Sequence, residues 1–198
     1  YVRSVRFFPD AEHARVGAEI CTQGEGELSV IVRYQGRTVG SVSTQICFRK
    51  RVDIALSEKH LWEIGAGRLY DVEIAFRTDR VNSYFGLRDV RYEGHKFLLN
   101  GKSVFQRLVL DQGYYPDGVY TAPTAEAMRG DIERALALGF NGARLHQKLF
   151  EPRYLYECDR AGYLVWGEYA SWGMHYDTLD ALGIFTAQWR EAVERDFN

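Results

Sequence analysis

Hydrophobic residues change their spacing once along this chain, and that change constrains the fold more than any other feature. Up to about residue 92 they alternate with polar ones. The runs are Val16, Ala18 and Ile20; Leu28, Val30, Val32 and Tyr34; Val52, Ile54 and Leu56; Tyr70, Val72, Ile74 and Phe76. A period of two puts every second side chain on one face, the pattern of strands buried on one side. Gln35-Gly36 and Gly65-Ala66-Gly67 supply turns between the runs.

Beyond Phe97 the alternation gives way to short apolar strands separated by helical stripes. Phe97-Leu98-Leu99 and Lys102-Ser103-Val104-Phe105 flank Asn100-Gly101, a pair suited to the left-handed conformations of a two-residue hairpin turn. The second arm runs on to Leu110 as a candidate first parallel strand, over about 104–110. Thr124 can cap a helix carrying Met128, Ile132, Ala135 and Leu136, and Gly139 can end it. Phe140 to Leu145 predicts a buried strand. Pro152 opens a second helix with Leu155, Cys158 and Ala161, closed by Gly162. Tyr163 to Glu168 predicts a third strand. After a loop from Tyr169 to about Gly183, a third helix is spaced out by Phe185, Trp189, Val193 and Phe197.

Roughly seven short strands in some 90 residues predict an immunoglobulin-like β-sandwich over 1–92. Strand, helix, strand, helix, strand, helix over 93–198 is the rhythm of a parallel sheet. A complete (β/α)₈ barrel takes about 250 residues. The second segment is therefore either a small open α/β domain or the first three βα units of a TIM barrel. Three units alone leave bare edges and apolar faces, which favours the interrupted barrel. The fold class expected is a multidomain β plus α/β chain.

The net charge of −2 and pI near 6.2 give no electrostatic reason to expect nucleic acid or an anionic membrane surface as a partner. Cys21, Cys47 and Cys158 are odd in number and widely spaced, which argues against a disulfide framework or zinc site and points to a reducing, cytoplasmic setting. His13 and His60 are isolated and expected to be plain surface residues.

The candidate chemistry lies at the C-terminal tips of the three parallel strands, where active sites of α/β proteins collect. Arg144 and His146 share one strand face at i, i+2. A buried arginine is costly unless it meets an anion. Asp111 and Gln112 follow the first strand; either they grip a polyhydroxylated ligand or they cap their own loop. Glu168 tips the third strand.

Four stretches carry a resemblance. Phe85-Gly86-Leu87-Arg88, Phe97 to Lys102, Leu138 to Arg144 and Cys158 to Val165 resemble, in this order, glycoside hydrolase family 2, which includes β-galactosidases, β-glucuronidases and β-mannosidases. Leu61-Trp62-Glu63 with Leu69 to Val72 resembles the end of that family's immunoglobulin-like domain. The resemblance implies a retaining exo-glycosidase, β-galactosidase-like, acting on β-glycosides through a general acid/base and a nucleophile. Both would be glutamates beyond Asn198, so no catalytic residue is expected in this chain.

By the same resemblance Arg144 hydrogen-bonds the nucleophile; the alternative is a structural arginine paired with Glu168. His146 stands one position before the family's usual histidine and either touches a sugar hydroxyl or packs in its loop. Glu168 lies where many members read Asp-Glu-Ala-Asn, with Gly167, Tyr169 and Ala170 departing from that pattern. Trp172 and Met174 occupy the places of the magnesium ligands of some β-galactosidases, so no metal and no cofactor are expected; Trp172 is either a stacking wall for a sugar or a core residue. The partner implied is a carbohydrate, and a homo-oligomer stays open. Two other readings remain: a non-catalytic sandwich with a partial barrel, and a small self-contained hydrolase using Asp111 and Glu168.

Overall fold

The alternating runs form one five-stranded antiparallel sheet. In the computed structural model, which describes residues 1–171, 175 and 178–196, the strands are β1 (Val2–Asp10), β2 (Arg15–Tyr34), β3 (Arg37–Ala55), β4 (Leu69–Phe76) and β5 (Asp79–Gly86). They belong to a unit made of Tyr1–Glu63 and Arg68–Phe105; a second unit holds Ile64–Gly67 and Gln106–Asn198. The first half of β2 pairs with β1, the second half with β4, and β3 pairs with both.

The expectation of roughly seven short strands needs correction, because β2 and β3 run unbroken for 20 and 19 residues. Between Cys21↔Arg49 and Glu25↔Cys47 the pairing shifts, β2 using three residues where β3 uses one. Gly24 and Phe48 take left-handed backbone there, with φ of 93° and 60°. The irregularity creases the sheet as bulges do, yet keeps even-numbered residues of β2 inward, so the ladder resumes on the far side. Arg77 secures the crease: its guanidinium donates to the Glu25 carbonyl and lies 5.3 Å from the centre of the Phe76 ring.

Folding at the crease buries Val16, Ala18, Ile20, Leu28, Val30, Val32, Tyr70, Val72, Ile74 and Phe76 in one cluster. The ends of the sheet meet: Phe7 of β1 and Phe85 of β5 have ring centres 5.6 Å apart, and the Val2 N–H donates to Asp79 at 2.7 Å. The result is a sandwich made from a single sheet. His13 is a surface residue paired with Asp10, but His60 is not: it stacks on Tyr34 at 3.7 Å and bonds Glu58.

A small sheet of β6 (Val90–Glu93), β7 (Lys96–Leu99) and β8 (Lys102–Ser103) follows. Its Asn100-Gly101 turn has both residues left-handed, φ 51° and 75°, as the sequence requires. The second arm does not continue as a strand to Leu110. β9 (Leu108–Asp111) starts only at Leu108, because Arg107 N–H is captured by the Asn141 side chain at 2.8 Å.

The remaining elements are α1 (Ala125–Ala137), β10 (Gly142–Leu145), α2 (Pro152–Ala161), β11 (Leu164–Gly167) and α3 (Leu179–Asp196). Thr124 Oγ1 accepts the Ala127 N–H at 3.1 Å, capping α1, and Gly162 (φ 70°) ends α2. β9, β10 and β11 are parallel, in the order β11-β10-β9. Met128, Ile132, Tyr154 and Cys158 cover one sheet face, against Ala143 and Leu145. The buried Glu157 of α2 binds Arg129 of α1 at 3.2 Å and Arg160 at 3.3 Å.

Helix α3 begins about four residues earlier than expected, with Gly183 inside it. Its inward stripe is Phe185, Trp189 and Ala192, spaced i, i+4, i+7; Val193 faces outward, and Phe197 lies outside the described residues. Among the described residues no helix is long and apolar enough to cross a membrane.

Candidate active site

The centre of the parallel sheet is possible only because Gly142 has no side chain. A Cβ there would lie 2.4 Å from the Leu164 carbonyl and 2.7 Å from Leu108. With strands this close, Arg144 sits level with Leu110 and Trp166, and Leu145 with Asp111 and Gly167. Partners in register share a face. Ala143 and Leu145 therefore point to the helices, while Arg144, Leu110 and Trp166 share the other face.

Among the described residues nothing covers that face: Leu110 is 52% exposed and Trp166 55%. The Arg144 side chain is 48% exposed, which corrects the expectation of a buried arginine. It does meet a carboxylate. Its Nε donates to Glu168 Oε1, while the Gln147 N–H donates to Glu168 Oε2 at 3.1 Å. Arg144 above all holds the Glu168 carboxyl below the ordinary glutamate value of 4.5; burial pushes it up less strongly, and the Gln147 N–H adds a smaller downward pull. The two terminal nitrogens of the guanidinium fork are donors suited to a second carboxylate.

His146 lies just past β10. Its backbone N–H donates to the Asp111 carbonyl at 2.7 Å, and its ring Nδ1 lies 3.2 Å from the Gln112 amide nitrogen. Asp111 caps its own loop, its Oδ1 accepting the Gly113 N–H at 2.7 Å, and its Oδ2 takes the Tyr154 hydroxyl at 3.1 Å. The fold thus brings Asp111, Gln112, Arg144, His146 and Glu168 to one end of one sheet. Trp172 and Met174 lie outside the described residues. Among the described residues, no cluster of three or more His, Cys, Asp and Glu is placed to hold a metal ion.

Two residues of this end escaped the sequence reading. Gln147 adopts left-handed backbone, φ 52°, and its Oε1 is buried without a hydrogen-bond partner among the described residues. Strained, unsatisfied residues tend to gather at functional sites. Lys148 is buried, and its ammonium donates to the carbonyls of Gly113 at 3.1 Å and Tyr120 at 2.7 Å. Burial lowers its pKa. The one available signal was a lysine set among Leu145, Leu149 and Phe150.

The Glu168 carboxyl yields a test. Its folded pKa is depressed, so its contribution to stability is present above the unfolded value and fades as pH falls through the folded one. A carbon-detected NMR titration is expected to find Glu168 titrating below 4.5, and Arg144→Ala is expected to move it up. An unchanged midpoint in the variant would show that Arg144 does not set it.

No family model and no curated protein matches this chain. Solved structures do. A Bacteroides uniformis β-glucuronidase (β-glucuronidase 3) superposes over 100% of the chain with a TM-score of 0.87 at 23% identity, the match covering 26% of that enzyme. A Dictyoglomus thermophilum β-D-glucuronidase gives 0.85 at 20% identity, over 100% of this chain and 36% of the other. A Ruminococcus gnavus β-glucuronidase gives 0.81 at 21% identity, over 98% and 35%. At these identities the likeness is one of fold. The chain spans between about a quarter and a third of the length of these enzymes.

Proposed function

We propose that this chain is a piece of a retaining exo-glycosidase of glycoside hydrolase family 2, acting on β-glycosides. Its 1–92 segment is then the immunoglobulin-like sandwich, and 93–198 the first three βα units of a (β/α)₈ catalytic barrel. One observation carries the reading. Among the described residues the three-stranded parallel sheet is covered by helices on one face only, and its open face holds the Arg144–Glu168 pair beside Leu110 and Trp166. In a closed barrel that face turns inward, and the strand tips line the substrate site. The fold likeness to part of β-glucuronidases, over the whole of this chain, supports it and brings β-glucuronides to the front of the candidate substrates.

In this reading the acid/base and nucleophilic glutamates lie beyond Asn198. The fork of Arg144 holds the nucleophile ionised, since a cation beside a carboxyl lowers its pKa. Glu168, already clasped and ionised, orients Arg144 and donates no proton. His146, beside Gln112 at the strand tips, is the residue that would meet a sugar hydroxyl. The reaction needs two carboxyl groups and no cofactor.

A self-contained hydrolase built on Asp111 and Glu168 is disfavoured by the same contacts. A general acid needs a raised pKa, and that of Glu168 is lowered. Asp111 spends both oxygens on Gly113 and Tyr154.

Release of nitrophenol from a panel of nitrophenyl β-glycosides, the glucuronide included, tests the proposal. The protein extended through the remaining barrel strands is expected to hydrolyse at least one, and the 198-residue chain none. Turnover by the chain alone would place the catalytic pair within it. Failure of the extended protein on every sugar would reject the reading.

A further inference from the structure

We infer that Tyr114 and Tyr120, on the loop after β9, form a stacking platform for a sugar ring of an oligosaccharide substrate. The inference rests on the glycosidase reading and names a binding element outside the Arg144–Glu168 pair.

The two tyrosines are 61% and 44% exposed, and their ring centres lie 4.9 Å apart at 74°. Rings so disposed make a floor and a wall. A pyranose turns hydroxyls outward at its rim but presents C–H groups on its flat faces, and such a face packs on an aromatic ring as other apolar groups do. The two rings already pack edge to face, and a mobile loop would let them turn inward, away from a ligand.

This loop is held in place. Gly113 and Tyr120, at its two ends, give their carbonyls to the single buried ammonium of Lys148. That ammonium also lies 4.4 Å from the centre of the Tyr120 ring and 4.8 Å from that of Phe150. Within the loop, Tyr115 and Val119 exchange both backbone hydrogen bonds, at 3.0 and 2.9 Å. Val119 is held at φ 56°, a left-handed conformation that a β-branched residue resists. Gly113 suits the place beneath, with φ 66° and a Cβ position that would come within 2.6 Å of the Lys148 nitrogen.

Position supplies the occupant. The loop leaves the C-terminal end of β9 and is tied to the loop after β10 through Gln112 and His146, so the platform stands at the end of the sheet where Arg144 and Glu168 lie. Lys148 is a positioning residue; Tyr114, with its open ring, is the contact.

Tyr114→Ala and Tyr114→Phe in the extended protein test the inference, with methyl β-glycosides and β-linked disaccharides of the same sugar as substrates. For the alanine variant kcat/KM on the disaccharide is expected to fall about tenfold, in line with the loss of one stacked ring. The methyl glycoside is expected to be unaffected, and phenylalanine is expected to restore the disaccharide. Equal losses on both substrates would make Tyr114 structural, and no loss on either would remove the platform; both outcomes overturn the inference. If the wild type cleaves no glycoside, the glycosidase reading falls and the platform is judged by binding alone. Calorimetric binding of β-linked tetrasaccharides, lost in Tyr114→Ala, would keep it; no binding by the wild type would end it.

Discussion

Arg144→Ala in the extended protein is expected to lower kcat/KM by roughly thirtyfold to a thousandfold while the melting temperature barely moves. The activity loss follows from charge. A nucleophilic glutamate has to stay ionised beside a second carboxyl group, and a guanidinium that donates hydrogen bonds to it stabilises the anion. Losing such a donor typically costs on the order of 2–4 kcal/mol in the transition state. The small stability change follows from exposure. The Arg144 and Glu168 side chains are 48% and 20% exposed, and ion pairs near water contribute about 0–1 kcal/mol. Arg144→Lys is expected to recover little activity, because an ammonium lacks the planar fork. Steady-state kinetics and a thermal melt on the same purified variants check both halves. Near-normal turnover with a large fall in melting temperature would make Arg144 a scaffold residue.

Ile74→Ala is expected to be among the damaging single truncations in the sandwich, at about 2–5 kcal/mol. Ile74 is fully buried on β4, level with Val30 of β2 and Val81 of β5. The sheet around it is anchored on both sides and can close little of the cavity. Against a typical total of about 5–15 kcal/mol, that loss takes a large share of the folding free energy. Ile74→Val, removing one methylene, is expected to cost only about 0.5–1.5 kcal/mol. On the exposed β6 strand, Val90→Ala is expected to stay within about 0.5 kcal/mol. Urea midpoints at constant m value rank the three. A midpoint for Ile74→Ala no lower than that for Val90→Ala would contradict the packing described here.

The inward residues of β2, β3 and β4 were legible because alternation is a local property, and so were the Asn100-Gly101 turn, the Thr124 cap and the Gly162 stop. The continuity of β2 and β3 was not. The crease at Gly24 and Phe48 is fixed by pairing between distant residues, and short apolar runs look alike whether one strand or two carries them. The exposure of Arg144 was misjudged for a related reason. Its apolar neighbours announce a buried strand, but which face is covered depends on what else packs there. At the site, strand-tip residues could be found by type and position. Gln147 could not, since its role rests on a left-handed turn, and Lys148 only by its apolar neighbours in sequence, since the two carbonyls it binds come from a distant loop.

A strand that belongs to both halves of a folded sheet has a consequence for how the sandwich comes apart. Each half takes its central hydrogen-bond ladder from β2: β1 and the far end of β3 lean on residues 15–21, and β4 and the near end of β3 on residues 25–34. Neither half can peel away and leave the other a complete sheet, since the departing half would pull the common backbone with it. The crease therefore works as a coupling element as well as a bend. It ties two layers of side chains into one cooperative unit, so that local opening is confined to the free edges and the small β6–β8 sheet.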